Sequence, residues 1–361
     1  MYPYTPWSMS VPNAILHHKQ SALAILATSL ILGVLYPVLA DNPDDWVARL
    51  NGLLIGLFGG VTIIFYEFYL FFLPKRIYPF TFILISKIFT YTTTFLLIII
   101  TIICFTRSLE NGVSFLEFMQ GEQFRHFLFE EDFVVIAMYA LTIVGVVITT
   151  RQVSRKMGPG VLINYVIGKY RKPKREYRIF LAMDLQQSTT IAEQLGELKY
   201  HEFLKRYFYD LTFSIAAHGG NVYRYVGDQV VISWMLDTGL KNCNAVRCFF
   251  SARDFIRQQE KYYQEHFNVV PSFRGVLDMG EVLTAEIGFD KQQLVFYGDV
   301  LQRLAEIEKV CKQKHQDIVI SEFLAVPMRQ NRDFDFNVLT KLVQPDSTPV
   351  QLLTVHPAVK F

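Results

Sequence analysis

The sequence predicts an α+β protein in two parts: four transmembrane helices, then a ferredoxin-like domain with an antiparallel-rich sheet and flanking helices. Three observations lead there. Apolar runs crowd the first 150 residues and charges crowd the rest. The second half alternates strand-like and helix-like stretches in the order strand, helix, hairpin, helix, strand, which is the split βαβ order. The length of 361 residues leaves room for two domains.

Four segments carry enough consecutive apolar residues to cross a bilayer, which takes about 20. They run from Ser21 to Ala40, Leu53 to Leu73, Phe80 to Phe105 and Phe133 to Thr150. Charged residues make up 19% of the chain, below the roughly 25% usual in soluble domains. Orientation follows from Lys and Arg in the short connections. Lys19 precedes the first span, Lys75 and Arg76 follow the second, and Arg151, Arg155 and Lys156 follow the fourth. The Asp41–Asp45 connection is acidic, and Glu110, Glu117, Glu122, Glu130, Glu131 and Asp132 dominate the third against Arg107 and Arg125. Both termini are therefore expected in the cytoplasm, with the chain multi-pass in the inner or plasma membrane. Val38-Leu39-Ala40 loosely resembles a signal-peptidase site, but the apolar core before it is longer than the usual 7–15 residues. Glu67 and Lys87 lie in or near spans, where an ionisable group is costly. Each is expected to reach the interface from near a helix end, with pairing between the second and third helices as the alternative.

The expected organisation is a cytoplasmic N-terminus over 1–20, the four-helix membrane part over 21–150, a juxtamembrane linker over 151–176 and the C-terminal domain over 177–361. Met157-Gly158-Pro159-Gly160 should break the fourth helix. Val161, Leu162, Tyr165, Val166 and Tyr170 have helical spacing, and a basic run of Lys169, Arg171, Lys172, Lys174 and Arg175 follows, suited to anionic lipid. The linker is a candidate for passing motion from membrane to output domain. The net charge of +2 says nothing about nucleic acid, and with no basic patch interleaved with aromatics none is expected as a partner. Cys104, Cys243, Cys248 and Cys311 form no CxxC pair and read as small buried hydrophobes.

In the C-terminal half, Tyr177–Met183 reads as a buried strand ending on Asp184, followed by a helix over about Thr189 to Ala217. Asn221–Val226 and Val230–Trp234 flank Gly227-Asp228, a strong hairpin signal. A helix is expected over Asn242–His266, and a second hairpin of Val269–Leu277 and Glu281–Ile287 around Asp278-Met279-Gly280. Leu294–Tyr297 is a short strand, and Asp299 can cap a helix to about Lys314. Ile318–Ile320 and Val350–Val355 close the sheet. This order brings Asp184 and Asp228 together, and two close carboxylates suit a hard divalent cation that also takes substrate phosphates. The helix start behind Asp184 offers backbone N–H groups and the Ser188 and Thr189 hydroxyls to phosphate.

Four motifs then resemble those of the class III adenylate/guanylate cyclases. Phe180-Leu-Ala-Met-Asp184-Leu-Gln-Gln-Ser188-Thr189 is similar to their first metal motif, and Tyr223-Arg224-Tyr-Val-Gly227-Asp228 to their second. Phe273-Arg274-Gly-Val-Leu-Asp-Met-Gly280-Glu281-Val with Ala285-Glu-Ile-Gly288 resembles their second hairpin. Phe296-Tyr297-Gly298-Asp299-Val300-Leu301 resembles the turn into the helix that carries their transition-state residues. The resemblance covers about Tyr177 to Val355. It implies two Mg²⁺ or Mn²⁺ ions held by Asp184, Asp228 and the Leu185 carbonyl. It also implies Arg274 facing nucleotide phosphates, ATP or GTP as substrate, and sites built across a head-to-tail dimer.

The chain departs from that pattern on the helix after Gly298-Asp299. The family's Asn and Arg, four residues apart, correspond to Gln302 and Glu306, and Glu306 reverses the charge. Of the positions that select the purine, the Lys position is Arg224 and the Asp position is Val295. The C-terminal Lys position falls near Asp346, with Lys341 close. The metal half of the site is kept and the half offered to a partner is eroded. The expected function is thus a membrane-anchored cyclase making cyclic AMP and pyrophosphate. The alternative is a weak or inactive pseudo-cyclase serving as the metal-bearing or regulatory subunit of a heterodimer. A transporter or receptor centred on the spans is disfavoured by their few intramembrane polar groups.

Overall fold

The structure is a computed structural model that describes residues 22–23, 25–35, 46–66, 80–129, 133–157, 164, 167–289, 292–343 and 349–358. It divides into two compact units, one built on Ile15–Lys156 and one on Met157–Phe361.

The first unit is helical. Its elements are α1 (Ile25–Leu35), α2 (Trp46–Phe65), α3 (Phe80–Glu110), α4 (Phe115–Gln120), α5 (Glu122–Phe129) and α6 (Phe133–Met157). Among the described residues, two helices are long and apolar enough to cross a membrane, Val47–Phe65 in α2 and Ile85–Glu110 in α3. The first expected span contains the shorter apolar helix α1, and the fourth coincides with α6, which ends at Met157 where Gly-Pro-Gly begins. Arg151, Arg155 and Lys156 lie in the last two turns of α6. α1 and α2 approach backbone to backbone. A Cβ on Gly33 would collide with the Gly52 carbonyl, and one on Gly56 would lie 2.6 Å from the Ser29 carbonyl oxygen. Gly52 and Gly56 are four residues apart, the small-residue spacing that lets membrane helices pack closely. The Tyr66 hydroxyl and Thr94 Oγ1 join α2 to α3 at 2.7 Å. The acidic third connection folds into α4 and α5, with a reciprocal cap between Ser114 and Glu117 starting α4.

Lys87 differs from expectation: it is 1% exposed, enclosed by protein rather than extended towards a helix end. Glu67, Lys75, Arg76, Asp41–Asp45, Val38–Ala40, Gly158–Gly160 and half of Val161–Tyr170 lie outside the described residues. Within the linker, 167–170 form a turn rather than helix.

The second unit is an α+β fold on one mixed, eight-stranded sheet. Its strands are β1 (Lys174–Leu185), β2 (Asn221–Val226), β3 (Gln229–Met235), β4 (Phe273–Ile287), β5 (Gln293–Tyr297), β6 (Ile318–Ser321), β7 (Phe334–Leu342) and β8 (Val350–Pro357). The order is β2-β3-β1-β4-β6-β8-β7, with β5 paired to β4. The β4–β6 pair is parallel and the other pairs are antiparallel. The helices are α7 (Ser188–Ala217), α8 (Leu236–Leu240), α9 (Asn244–Gln258), α10 (Glu260–Phe267), α11 (Asp299–Gln313) and α12 (Glu322–Met328).

The apolar run 179–183 of β1 is buried on both faces, as a central strand requires. Because strand side chains alternate, Ile179, Leu181 and Met183 enter one core with Phe203, Tyr207, Leu211 and Ile215 of α7 and Phe249 of α9. Phe180 and Ala182 enter a second core with Phe296 of β5 and with Val300, Leu304, Ile307 and Cys311 of α11. The spacing of 300, 304, 307 and 311 marks one helical face. Gly275 of β4 leaves room for the Phe249 ring, since a Cβ there would meet it at 2.5 Å.

The expected hairpin around Asp278-Met279-Gly280 does not form. β4 runs unbroken for 15 residues because β1 pairs with it from Lys174↔Thr284 to Leu185↔Phe273. The turn comes later, between Ile287 and Gln293. Asp278 is buried within the strand, where its carboxylate accepts from Arg303 Nε at 2.7 Å and from Ser321. Two expected helices are also interrupted. α7 breaks at Gly196 (φ 70°), and Asn242–His266 divides into α9 and α10 at Gln259.

The linker enters this unit through a polar knot. Tyr170 is buried, and its hydroxyl donates to Glu176 at 2.8 Å. Arg178 donates to the same carboxylate through Nε and Nη2 at 3.0 and 2.8 Å, and Thr284 at 3.1 Å.

Candidate active site

Asp184 stands one residue from the end of β1. The register pairs it with Gln229 of β3 on one side and Arg274 of β4 on the other. Asp228 immediately precedes that Gln229, in a two-residue turn whose Gly227 takes the left-handed conformation (φ 60°). Strand pairing therefore brings Asp184, Asp228 and Arg274 to one end of the sheet.

Both carboxylates are half-buried. Burial raises the Asp184 carboxyl above its usual range, Lys312 opposes this, and the charges of Asp228 and Glu308 push it further up. Lys312 Nζ lies 2.7 Å from Asp184 Oδ2 and 2.7 Å from Glu308 Oε1. Gln229 donates to the other Glu308 oxygen at 2.7 Å. The end of α11 thus reaches back to the end of β1.

The helix start expected behind Asp184 forms. Gln187 turns the chain in the left-handed conformation, and Ser188 and Thr189 open the first turn of α7, which has no side-chain cap. Burial raises the Tyr200 phenol, and the charges of Asp228 and Asp184 push it further up while Ser188 opposes them. Tyr207 is fully buried; its hydroxyl has no hydrogen-bond partner among the described residues, and the same two carboxylates add to the upward effect of burial.

The remaining expected residues lie elsewhere on this unit. Gln302 and Glu306 are one turn apart on α11, Gln302 exposed and Glu306 paired with Lys309 at 2.8 Å. Arg224 is exposed on β2 with its guanidinium 5.3 Å from the Tyr223 ring. Val295 is half-buried on β5. The Tyr223 ring lies 4.7 Å from the Phe296 ring, so the neighbours of Arg224 and Val295 in sequence meet through their side chains. Lys341 pairs with Gln351 in β7–β8, and Asp346 lies outside the described residues.

The donor set fits a hard divalent cation. Two close carboxylates, with the Leu185 backbone beside them, offer oxygen ligands and leave positions for water or phosphate. The ammonium already resting on Asp184 marks the position as one that favours positive charge. Among the described residues, no group of three or more His, Cys, Asp or Glu side chains forms a complete metal cage.

Sequence reading missed Lys312, Glu308, Gln229, Tyr200 and Tyr207. Glu308 and Lys312 carry one available signal, a Glu four residues before a Lys on one helix face. Nothing local ties that pair to Asp184.

The fold and the carboxylate end of the sheet define a class: the unit built on Met157–Phe361 has the fold of a class III nucleotide cyclase domain. The chain is 32% identical over 194 residues to adenylate cyclase 2 of Rhizobium meliloti, a match covering 54% of this chain and 53% of that protein. It thus spans about half the length of the curated relative it matches. A bacterial light-regulated adenylyl cyclase superposes with a TM-score of 0.52 at 18% identity, covering 64% of this chain and 68% of that one. No protein-family model matches the chain.

Proposed function

We propose that this chain is a membrane-anchored nucleotidyl cyclase that converts ATP to 3′,5′-cyclic AMP and pyrophosphate in a signalling role. The observation that carries the reading is the register Asp184↔Gln229, which puts Asp184 beside Asp228 in a cyclase fold. Four spans, a cytoplasmic N-terminus and a cytoplasmic output domain belong to the proposal. The apolar α2 and α3 and the glycine-mediated packing of α1 on α2 support it.

Two Mg²⁺ or Mn²⁺ ions, when bound, would lower the pKa of the ribose 3′-hydroxyl and neutralise charge on the departing pyrophosphate. Asp184, Asp228 and the Leu185 carbonyl would hold them. The first turn of α7, with Ser188 and Thr189, would bind phosphate oxygens through N–H and O–H donors. Arg274 would add a cation beside them. Arg224 and Val295 would line the purine, without the Lys and Asp that the family resemblance associates with adenine. GTP is therefore tested beside ATP. Gln302 and Glu306 would face the partner's site in a head-to-tail dimer, and there Glu306 works against a developing negative charge. Loss of one stabilising donor typically lowers kcat by about 10²–10³.

Glu306 favours a second reading, in which the chain supplies the metal half of a heterodimer and another cyclase chain supplies the missing donors. Turnover by the purified chain with Mg²⁺ or Mn²⁺ and each of ATP and GTP tests both. Slow formation of cyclic AMP, abolished by Asp184→Asn, is expected for the first reading. No cyclic product from any combination, with activity on adding a partner chain, selects the second.

A further inference from the structure

Lys312 is the part of this site that the proposed chemistry leaves unused. Its ammonium lies on Asp184 Oδ2 at 2.7 Å, the carboxylate assigned above to metal. An oxygen bonded to Mg²⁺ sits about 2.0–2.1 Å from the ion. One carboxylate end cannot carry an ammonium in direct contact and a divalent cation together without severe repulsion.

We propose that Lys312 is a tethered counter-ion: it holds the metal position while the site is metal-free and is displaced when a divalent cation binds. The inference rests on the reading of Asp184 as a metal carboxylate. Three features support it. Asp184, Asp228 and Glu308 place several negative charges close together in a half-buried setting, and their mutual effect on Asp184 is upward. Such a cluster needs compensation when no metal is present. The Lys312 side chain is 45% exposed, so its flexible stem can swing the ammonium into water at little cost. Glu308, one turn earlier on α11 and held by Gln229, keeps a second carboxylate at 2.7 Å for the displaced ammonium. Release from Asp184 therefore leaves neither Lys312 nor Glu308 unpaired.

A ligand that must displace an internal competitor binds more weakly by the strength of that contact. The test is a Mn²⁺ titration of the full chain in detergent without nucleotide, following free Mn²⁺ by electron paramagnetic resonance. Lys312→Met and Lys312→Gln are expected to bind Mn²⁺ about tenfold more tightly than the wild type, the scale of one charge-assisted hydrogen bond. Lys309→Met removes the same charge one turn away, where the ammonium pairs with Glu306 instead. It is expected to change affinity by no more than about twofold, as screening at an exposed site implies. Equal tightening by Lys309→Met and Lys312→Met would reduce the effect to net charge and overturn the inference. Unchanged affinity in both Lys312 variants, with binding lost in Asp184→Asn, would sink the counter-ion and leave the metal assignment standing. Unchanged binding in Asp184→Asn would remove the metal assignment itself.

Discussion

Asp184 owes its position to backbone pairing and its chemistry to side chains from elsewhere. The strand pairs fix where its Cα lies, while burial, opposed by Lys312 and aided by Asp228 and Glu308, raises its carboxyl. Asp184→Asn keeps the shape and removes the negative charge, so turnover should fall to background while far-ultraviolet circular dichroism stays unchanged. Retained turnover would move the metal site elsewhere. On α11, the Gln302→Asn, Glu306→Arg double variant restores the donors that the cyclase resemblance implies. Its kcat should rise by about 10²-fold or more with little change in KM, because such donors act mainly in the transition state. An inert double variant would place the defect in the metal half. Asp184 and the Gly-Asp turn were legible in the sequence because each is a local signal. Lys312 was not, because its contact joins the end of a helix to a strand far away in the chain.

The helices and strands were legible in proportion to how local their causes are. α11 and the β2–β3 turn were expected from Asp299 and from a Gly-Asp pair, both local signals. Asp299 is, however, the first residue of α11, and Gly298 stands at its cap without a side-chain hydrogen bond. β4 was misread as two strands. Asp278-Met279-Gly280 has turn composition, but β1 pairs across it, and Arg303 and Ser321 compensate the buried carboxylate. β4 also depends on Gly275. Gly275→Ala would drive a methyl group into the Phe249 ring and should destabilise the cyclase-like unit by about 1–3 kcal/mol. A lowered thermal midpoint checks this, and an unchanged one would mean that Phe249 has room to move.

The knot at the start of β1 gives an acid-side prediction. Burial alone pushes the Glu176 carboxyl up. The Tyr170 hydroxyl, Arg178 and Thr284 outweigh it and hold the carboxyl below its usual value of 4.5. A depressed carboxyl stabilises the fold above its unfolded pKa and loses that contribution as pH falls through its folded pKa. Glu176→Gln should lower the thermal midpoint at pH 7, and the gap to the wild type should close as pH falls below about 4.5. A gap constant down to pH 3 would show that the carboxylate's charge is not what stabilises the knot.

On the proposed reading as a dimeric cyclase, the decisive question is whether one chain's α11 completes the carboxylate end of another chain's sheet. Mixing two inactive or weak chains answers it. A chain with Asp184→Asn, Gln302→Asn and Glu306→Arg lacks its own metal site but offers repaired donors. Mixed with wild type, it should give more cyclic AMP than either chain alone, because one hybrid site then has both halves. No gain on mixing would argue that the sites are not shared between chains. In the helical unit, Gly56→Leu should separate α1 from α2, since even one carbon there meets the Ser29 carbonyl. Loss of a disulfide cross-link engineered between these helices would register it.

By itself the sequence determined the apolar α2 and α3, the run from β1 through α7 to the β2–β3 turn, and the places of Asp184 and Asp228 along it. Each rests on periodicity or composition within a short window, where the physical cause and the residues that show it coincide. Tertiary structure decided the unbroken β4, the enclosure of Lys87, the buried Tyr207 hydroxyl and the seat of Lys312 on Asp184. These depend on which side chains meet across the fold, and electrostatics and packing act through space rather than along the chain.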